Sequence, residues 1–210
     1  MANRFFIPTT RIEAFSDGVF AIVMTLLAFQ FKVPHFTTHA SLYQNFHELS
    51  KIYSNFISFV FSFLFVAVFW VSHHQLFHAI KEADRKLLWY NIHLLFWITM
   101  IPFPTAMVGD FPEVPLAVIS LAFVLLMVSV ASYMVRRYSF YKAAEIRENF
   151  SARLIGGGLS KNIVAIILNI GAIATAFISV SISYIIFIIV LALFTIPHRG
   201  EIKNELSSKK

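Results

Sequence analysis

The 210-residue sequence contains no cysteine, so a disulfide framework and thiolate chemistry are both excluded. Charge is also scarce. Only 13% of residues are charged, where soluble domains carry about 25%, and the mean hydropathy is +0.73. Scarce charge does not mean disorder, because 24 phenylalanines and 16% aromatic residues supply far more apolar surface than an unfolded chain carries. What remains is an integral membrane protein. No TVGYG segment, internal repeat or soluble domain is present, and the expected outer loop 32–53 carries Pro34 and three histidines but no N-glycosylation sequon.

The long charge-free runs are 18–31, 52–80, 87–109, 114–135 and 162–198, of 14, 29, 23, 22 and 37 residues. A helix needs roughly 20 apolar residues to cross about 30 Å of hydrocarbon. The three runs of 22–29 residues each hold one span. The 37-residue run makes a rod of roughly 55 Å, nearly two bilayer cores, and is read as two helices turning near Ser179, Ser181 and Ser183. The first run is too short to span, so its helix is expected to extend back through Asp17, Ser16 and Phe15 to about Ile12. Asp17, and the lack of a small-x-small site after Phe31, argue against a signal peptide.

The reading is one domain over 1–210, an all-α integral membrane protein with spans near 12–31, 54–79, 87–108, 114–135, 161–178 and 182–197. Pro102 and Pro104 are expected to kink the third span, with neighbouring groups satisfying the freed carbonyls. A cytoplasmic helical extension is expected near 136–155, broken by Gly156, Gly157 and Gly158 before the fifth span. Six spans place 15 of the 17 Lys and Arg residues on one side, leaving only Lys32 and Lys51 opposite. Both termini are therefore expected in the cytoplasm. The net charge of +6 is a topology signal, and no nucleic-acid partner is implied.

Polar residues within the spans are the informative ones, because lipid offers them no partner. The first helix carries Arg11, Ser16 and Asp17, the second Trp70, His73 and His74, and the third Trp89, Asn91 and His93, all at one cytoplasmic depth. A shared network follows, and helix-to-helix glue alone would also explain it. His73, His74 and His78 lack the further ligands a metal centre needs, so no metal, cofactor or catalytic group is assigned. Above the cluster, Ile22, Thr25, Leu26 and Phe29 share one helical face. Periodicity alone reads this face as ordinary apolar helix, with Thr25 bonding back to the carbonyl of Ala21.

The segment Arg11-Ile-Glu-Ala-Phe15-Ser16-Asp17 resembles the RxxxFSD signature of the lysosomal/endosomal potassium channel family, transmembrane protein 175. Phe69-Trp70-Val-Ser-His73-His74 and the stretch from Asn91 to Pro102-Phe103-Pro104-Thr105 are similar to that family too. One repeat per chain matches its bacterial branch. The resemblance implies a homotetramer in the plasma (inner) membrane, with first helices lining a central path for K+ and other monovalent cations. It places Ile22 at a hydrophobic constriction and Thr25 at a hydroxyl layer linked to potassium preference. Leu26 and Phe29 continue that face, Phe29 departing from the smaller aliphatic residue commoner there. Arg11, Phe15, Ser16, Asp17, Trp70, His73, His74 and Asn91 are implied to form a supporting network that does not coordinate the ion. A side-chain pore without a carbonyl filter should select K+ over Na+ only modestly. A proton-coupled transporter using Asp17 and the histidines is the alternative, and a histidine metalloenzyme is a more distant one.

Overall fold

A peptide group in hydrocarbon must find its hydrogen-bond partner within its own segment, so long apolar runs become helices. The computed structural model describes residues 6–34, 36, 38, 41–50, 52–78, 80, 82–141 and 152–196, and these are mostly helical. In chain order the elements are β1 (Phe6–Pro8), α1 (Thr9–Ala28), α2 (Leu42–Ser50), α3 (Tyr53–His78) and β2 (Glu82–Asp84). They continue as α4 (Arg85–Thr99), α5 (Pro102–Asp110), α6 (Pro115–Tyr141), α7 (Ala152–Ala176) and α8 (Val180–Thr195). Among the described residues, four helical stretches are long and apolar enough to cross a membrane: Leu42–His78, Arg85–Asp110, Pro115–Tyr141 and Gly158–Ala176. Val180–Thr195 is apolar but shorter. The 20 residues of α1 include Arg11, Glu13 and Asp17.

The structure departs from the sequence reading in several places. Two short strands interrupt the all-helical expectation: β1 pairs antiparallel with β2, with Ile7 opposite Ala83. The strap ties the chain just before α1 to the α3–α4 connection, and Thr9 Oγ1 adds a bond to the Ile80 carbonyl at 3.3 Å. The third apolar run, where a kink is expected, is interrupted by a turn at Met100 and Ile101 between α4 and α5, both residues keeping right-handed helical backbone. Pro102 and Pro104 have no N–H to offer the turn before them. Ile101 N–H takes the Ile98 carbonyl and Met100 N–H takes that of Trp97, each at 3.2 Å, so the freed groups close locally.

The three glycines do not stop the fifth helix, since α7 runs unbroken from Ala152. Gly158 is needed for contact instead: a Cβ there would lie 2.3 Å from Arg136 Nη1. The turn before α8 comes at residues 177–179, leaving Ser181 and Ser183 inside the helix. Ser183 Oγ donates to the Ala172 carbonyl at 2.8 Å, a buried bond across the turn. The connection after α1 also holds a helix, α2. Ser41 Oγ accepts the Gln44 N–H at 3.3 Å while Gln44 Oε1 accepts the Ser41 N–H at 2.8 Å, a capping box that the segment Ser41-Leu-Tyr-Gln44 spells out. The expected extension 136–155 is helical to Tyr141, while 142–151 lie outside the described residues.

α6 packs along α7 and α4, α7 along α8, and α1 against α3, α4 and α5. Phe20, Phe65, Phe77, Leu27 and Ile98 are fully buried among the helices, Phe65 edge-on to Phe187 of α8.

Candidate functional site

α1 has two unlike faces. Thr9, Ile12, Ser16, Phe20, Val23 and Leu27 follow a three-and-four spacing and are buried against the other helices. The opposite face carries Phe15, Ile22, Leu26 and Phe29, which are 59%, 59%, 46% and 83% exposed. Thr25 lies exposed on the same side, and its hydroxyl donates to the Ile22 carbonyl at 2.7 Å rather than to Ala21. With the proton committed, the lone pairs of that oxygen point away from the helix backbone.

The buried face is held by a relay of polar groups. Ser16 Oγ donates to the Ile12 carbonyl at 2.8 Å and accepts from Asn91 Nδ2 at 3.0 Å. This orients the amide so that Asn91 Oδ1 faces His73, 2.7 Å from Nε2, and His73 must donate from that nitrogen. All three side chains are buried, on α1, α4 and α3 respectively. The His73 ring stacks on Phe77 with centroids 4.4 Å apart and meets Phe20 at 5.6 Å. Asp17 stands beside this relay: its Oδ1 accepts the indole N–H of Trp70 at 2.8 Å. Trp70 stacks on His74, and His74 on His78.

The structure thus brings together Ser16, His73 and Asn91 in one chain of bonds and Asp17 with Trp70 in another. Arg11 and Phe15 point outward, and Arg11 makes no hydrogen bond or ion pair among the described residues. The expected partnership of Arg11 with the second and third helices is therefore not formed within one chain.

Other buried polar contacts join the helices outside this relay. Thr105 Oγ1 donates to Ser62 Oγ at 2.7 Å, joining α5 to α3. Arg136 Nη2, on α6, donates to the carbonyl and hydroxyl of Ser72 at 2.8 and 2.5 Å, one residue before His73. Asn162 Nδ2 donates to Ser132 Oγ at 3.3 Å in the α6–α7 seam. The available signal was periodic: Ser129, Ser132, Arg136 and Ser139 fall on one helical face, which an apolar reading of that span passes over. At the far end of α1, Gln30 Nε2 donates to the Pro102 carbonyl at 2.8 Å, and Lys32 Nζ pairs with Asp110 Oδ2 at 2.5 Å.

Residues 11–102 match the family model described as endosomal/lysosomal potassium channel TMEM175. The chain is 32% identical over 194 residues to a potassium channel of Chryseobacterium sp., covering 90% of this chain and 93% of that one. A potassium channel of Streptomyces collinus is 40% identical over 101 residues, 48% of each chain. The crystal structure of a lysosomal potassium-selective channel TMEM175 homolog from Chamaesiphon minutus superposes with a TM-score of 0.76 at 28% identity. It covers 89% of this chain and 96% of that one. The RxxxFSD motif lies within the matched segment and near full-length similarity extends beyond it, so the chain belongs to the TMEM175 family.

Proposed function

We propose that four copies of this chain form a passive, potassium-permeable cation channel in a bacterial inner membrane, with α1 of each copy lining a central path. The observation that carries the reading is the outward face of α1. Its inner face is packed and hydrogen-bonded to α3, α4 and α5, while Ile22, Thr25, Leu26 and Phe29 face away from all of them. One helix cannot enclose an ion, so such a face needs symmetric copies to close a path. The names of the relatives, potassium channels in two bacteria, support the choice of ion. On this reading α1, α3, α4 with α5, α6, α7 and α8 are six crossings with both termini cytoplasmic, as the Lys and Arg distribution favours.

Four Ile22 side chains converging on an axis offer a dehydrating ion no polar partner and gate by dewetting. Thr25 sets four hydroxyl oxygens within a turn of that ring, lone pairs free. Potassium sheds its water more readily than sodium, and a sparse oxygen ring favours it mildly. The anchoring relay then keeps the lining face turned inward without touching the ion. No catalytic group or cofactor enters this mechanism.

Purified protein reconstituted in potassium-loaded liposomes tests the function. Collapse of a potassium gradient without a coupled ion supports the channel, and strict coupling to protons would replace it with the transporter. Native mass measurement tests the assembly: a stable monomer or dimer that still conducts overturns the tetramer.

A further inference from the structure

Only two Lys or Arg residues, Lys32 and Lys51, lie between Arg11 and Lys81. Lys32 is four residues past the end of α1, and Phe29, Gln30 and Phe31 continue the helical course by donating to Leu26, Leu27 and Ala28. Gln30 also ties this segment to α5 through the Pro102 carbonyl. In the proposed channel Lys32 therefore stands at the outer mouth, a turn beyond Phe29. A ring of lysines is what an anion pore uses, so four bare ammonium groups would oppose cation entry.

The structure places a counter-charge there and holds it firmly. Asp110, the last residue of α5, binds Lys32 Nζ with Oδ2 at 2.5 Å and accepts Asn55 Nδ2 on Oδ1 at 3.0 Å. Asn55 belongs to α3, and its carbonyl accepts Ser58 Oγ at 3.1 Å. Gly109 lets α5 close on this point: a Cβ there would fall 2.7 Å from Asn55 Nδ2 and 3.1 Å from Asn55 Cα. Asp110 is thus fixed by a close helix approach, with 29% of its side chain exposed, whereas Lys32 is 77% exposed. An ion pair this open contributes little to stability. Its consequence lies in the field it cancels.

Resting on the pore reading above, we infer that Asp110, positioned by Asn55 and Gly109, neutralises Lys32 at the outer mouth and so sets the rate of cation entry. Neither residue touches the ion in the path. They act on the local potassium concentration. Four unit charges about 10 Å from the axis change that concentration about threefold at about 0.1 M salt, and hardly at all at about 1 M, where the Debye length is about 3 Å.

The experiment is unitary inward potassium current through the full-length channel in planar bilayers, at both salt concentrations. Asp110→Asn is expected to lower the current about threefold at low salt, Lys32→Gln to raise it by a similar factor, and the double variant to fall between them. All three differences shrink at high salt. Lys32→Cys serves if Asp110→Asn fails to assemble, since the chain has no native cysteine to react. A cationic thiosulfonate applied outside should then reduce inward current and an anionic one should not. Equal currents in all variants, shifts of the same sign in both single variants, or indifference to reagent charge overturn the inference. If Ile22→Asn still alters conduction, this inference alone fails. If Ile22→Asn and Thr25→Val are silent as well, the pore reading fails and takes it down too.

Discussion

Asn91 is the joint through which α1 is fastened to its neighbours, and removing it has a calculable effect. Its side chain is fully buried, accepts from His73 at 2.7 Å and donates to Ser16 at 3.0 Å. Asn91→Leu keeps the branched heavy-atom shape but leaves the His73 Nε2–H without an acceptor, at about 1–3 kcal/mol. Partners found by unfolded helices within the bilayer reduce such interhelical bonds to about 0.6–1.7 kcal/mol each. Ser16 is hurt less, because its hydroxyl still donates to the Ile12 carbonyl. Ser16→Ala in the parent strands the Asn91 amide N–H, whereas in the Asn91→Leu background it removes only a back-bond within α1. The expected coupling is therefore about 0.6–1.7 kcal/mol. Thermal unfolding of the detergent-solubilised protein, followed by size exclusion, reads this as a midpoint shift of about 2–4 °C per kcal/mol for a chain of this size. Ser16→Ala should lower the midpoint in the parent and leave it nearly unmoved beside Asn91→Leu. Equal drops in both backgrounds would refute the relay.

The proposed pore face is tested by bi-ionic reversal potentials. Thr25→Val deletes four oxygens without changing shape and should lower the potassium-to-sodium ratio, and Ile22→Asn should raise basal flux by wetting the constriction. At the Asp17–Trp70 contact, Trp70→Phe strands a half-buried carboxylate and should cost about 1.5–3 kcal/mol of stability. Asp17→Asn keeps an acceptor for the indole and should cost less; the reverse order, measured by the fraction that assembles, would mean Asp17 has another principal partner. Gly158→Ala drives a methyl into Arg136, displacing its guanidinium from Ser72, and should lower the unfolding midpoint. Gly171→Ala, whose nearest neighbour would be Ile186 at 3.9 Å, should leave it unchanged or raise it through helix propensity.

Much of the helical plan was legible because lipid punishes an unpaired backbone: a charge-free run of sufficient length has one outcome, and the apolar runs read from the sequence are helical in the structure. The split of the last run was readable from its length, but the turn could be placed only near Ser179, Ser181 and Ser183, since nothing local distinguishes Ser179, where it ends, from the other two. Only packing does so, by turning Ser183 onto Ala172. The α2 capping box is spelled out by Ser41 and Gln44, a local signal that marks a helix in the connection after the first span. Polar residues at one depth could be listed from composition and orientation, yet their pairing could not. Hydrogen bonding needs partners within about 3 Å, and the rotation of each helix about its axis decides which polar groups come that close. Hence His73, rather than His74, reaches Asn91, Asp17 meets a tryptophan, and Arg11 stays outward. Glycine shows the same division. Gly156–Gly158 look like a break by propensity, whereas the approach of Arg136 turns Gly158 into a contact surface inside an unbroken helix. By itself the sequence determined that this chain is a bundle of membrane helices whose first member carries an unusual motif, because backbone satisfaction and apolar run length are local matters. Which face of that first helix is bonded to the other helices and which stays exposed was decided only in three dimensions, where side-chain reach and helix rotation set the contacts.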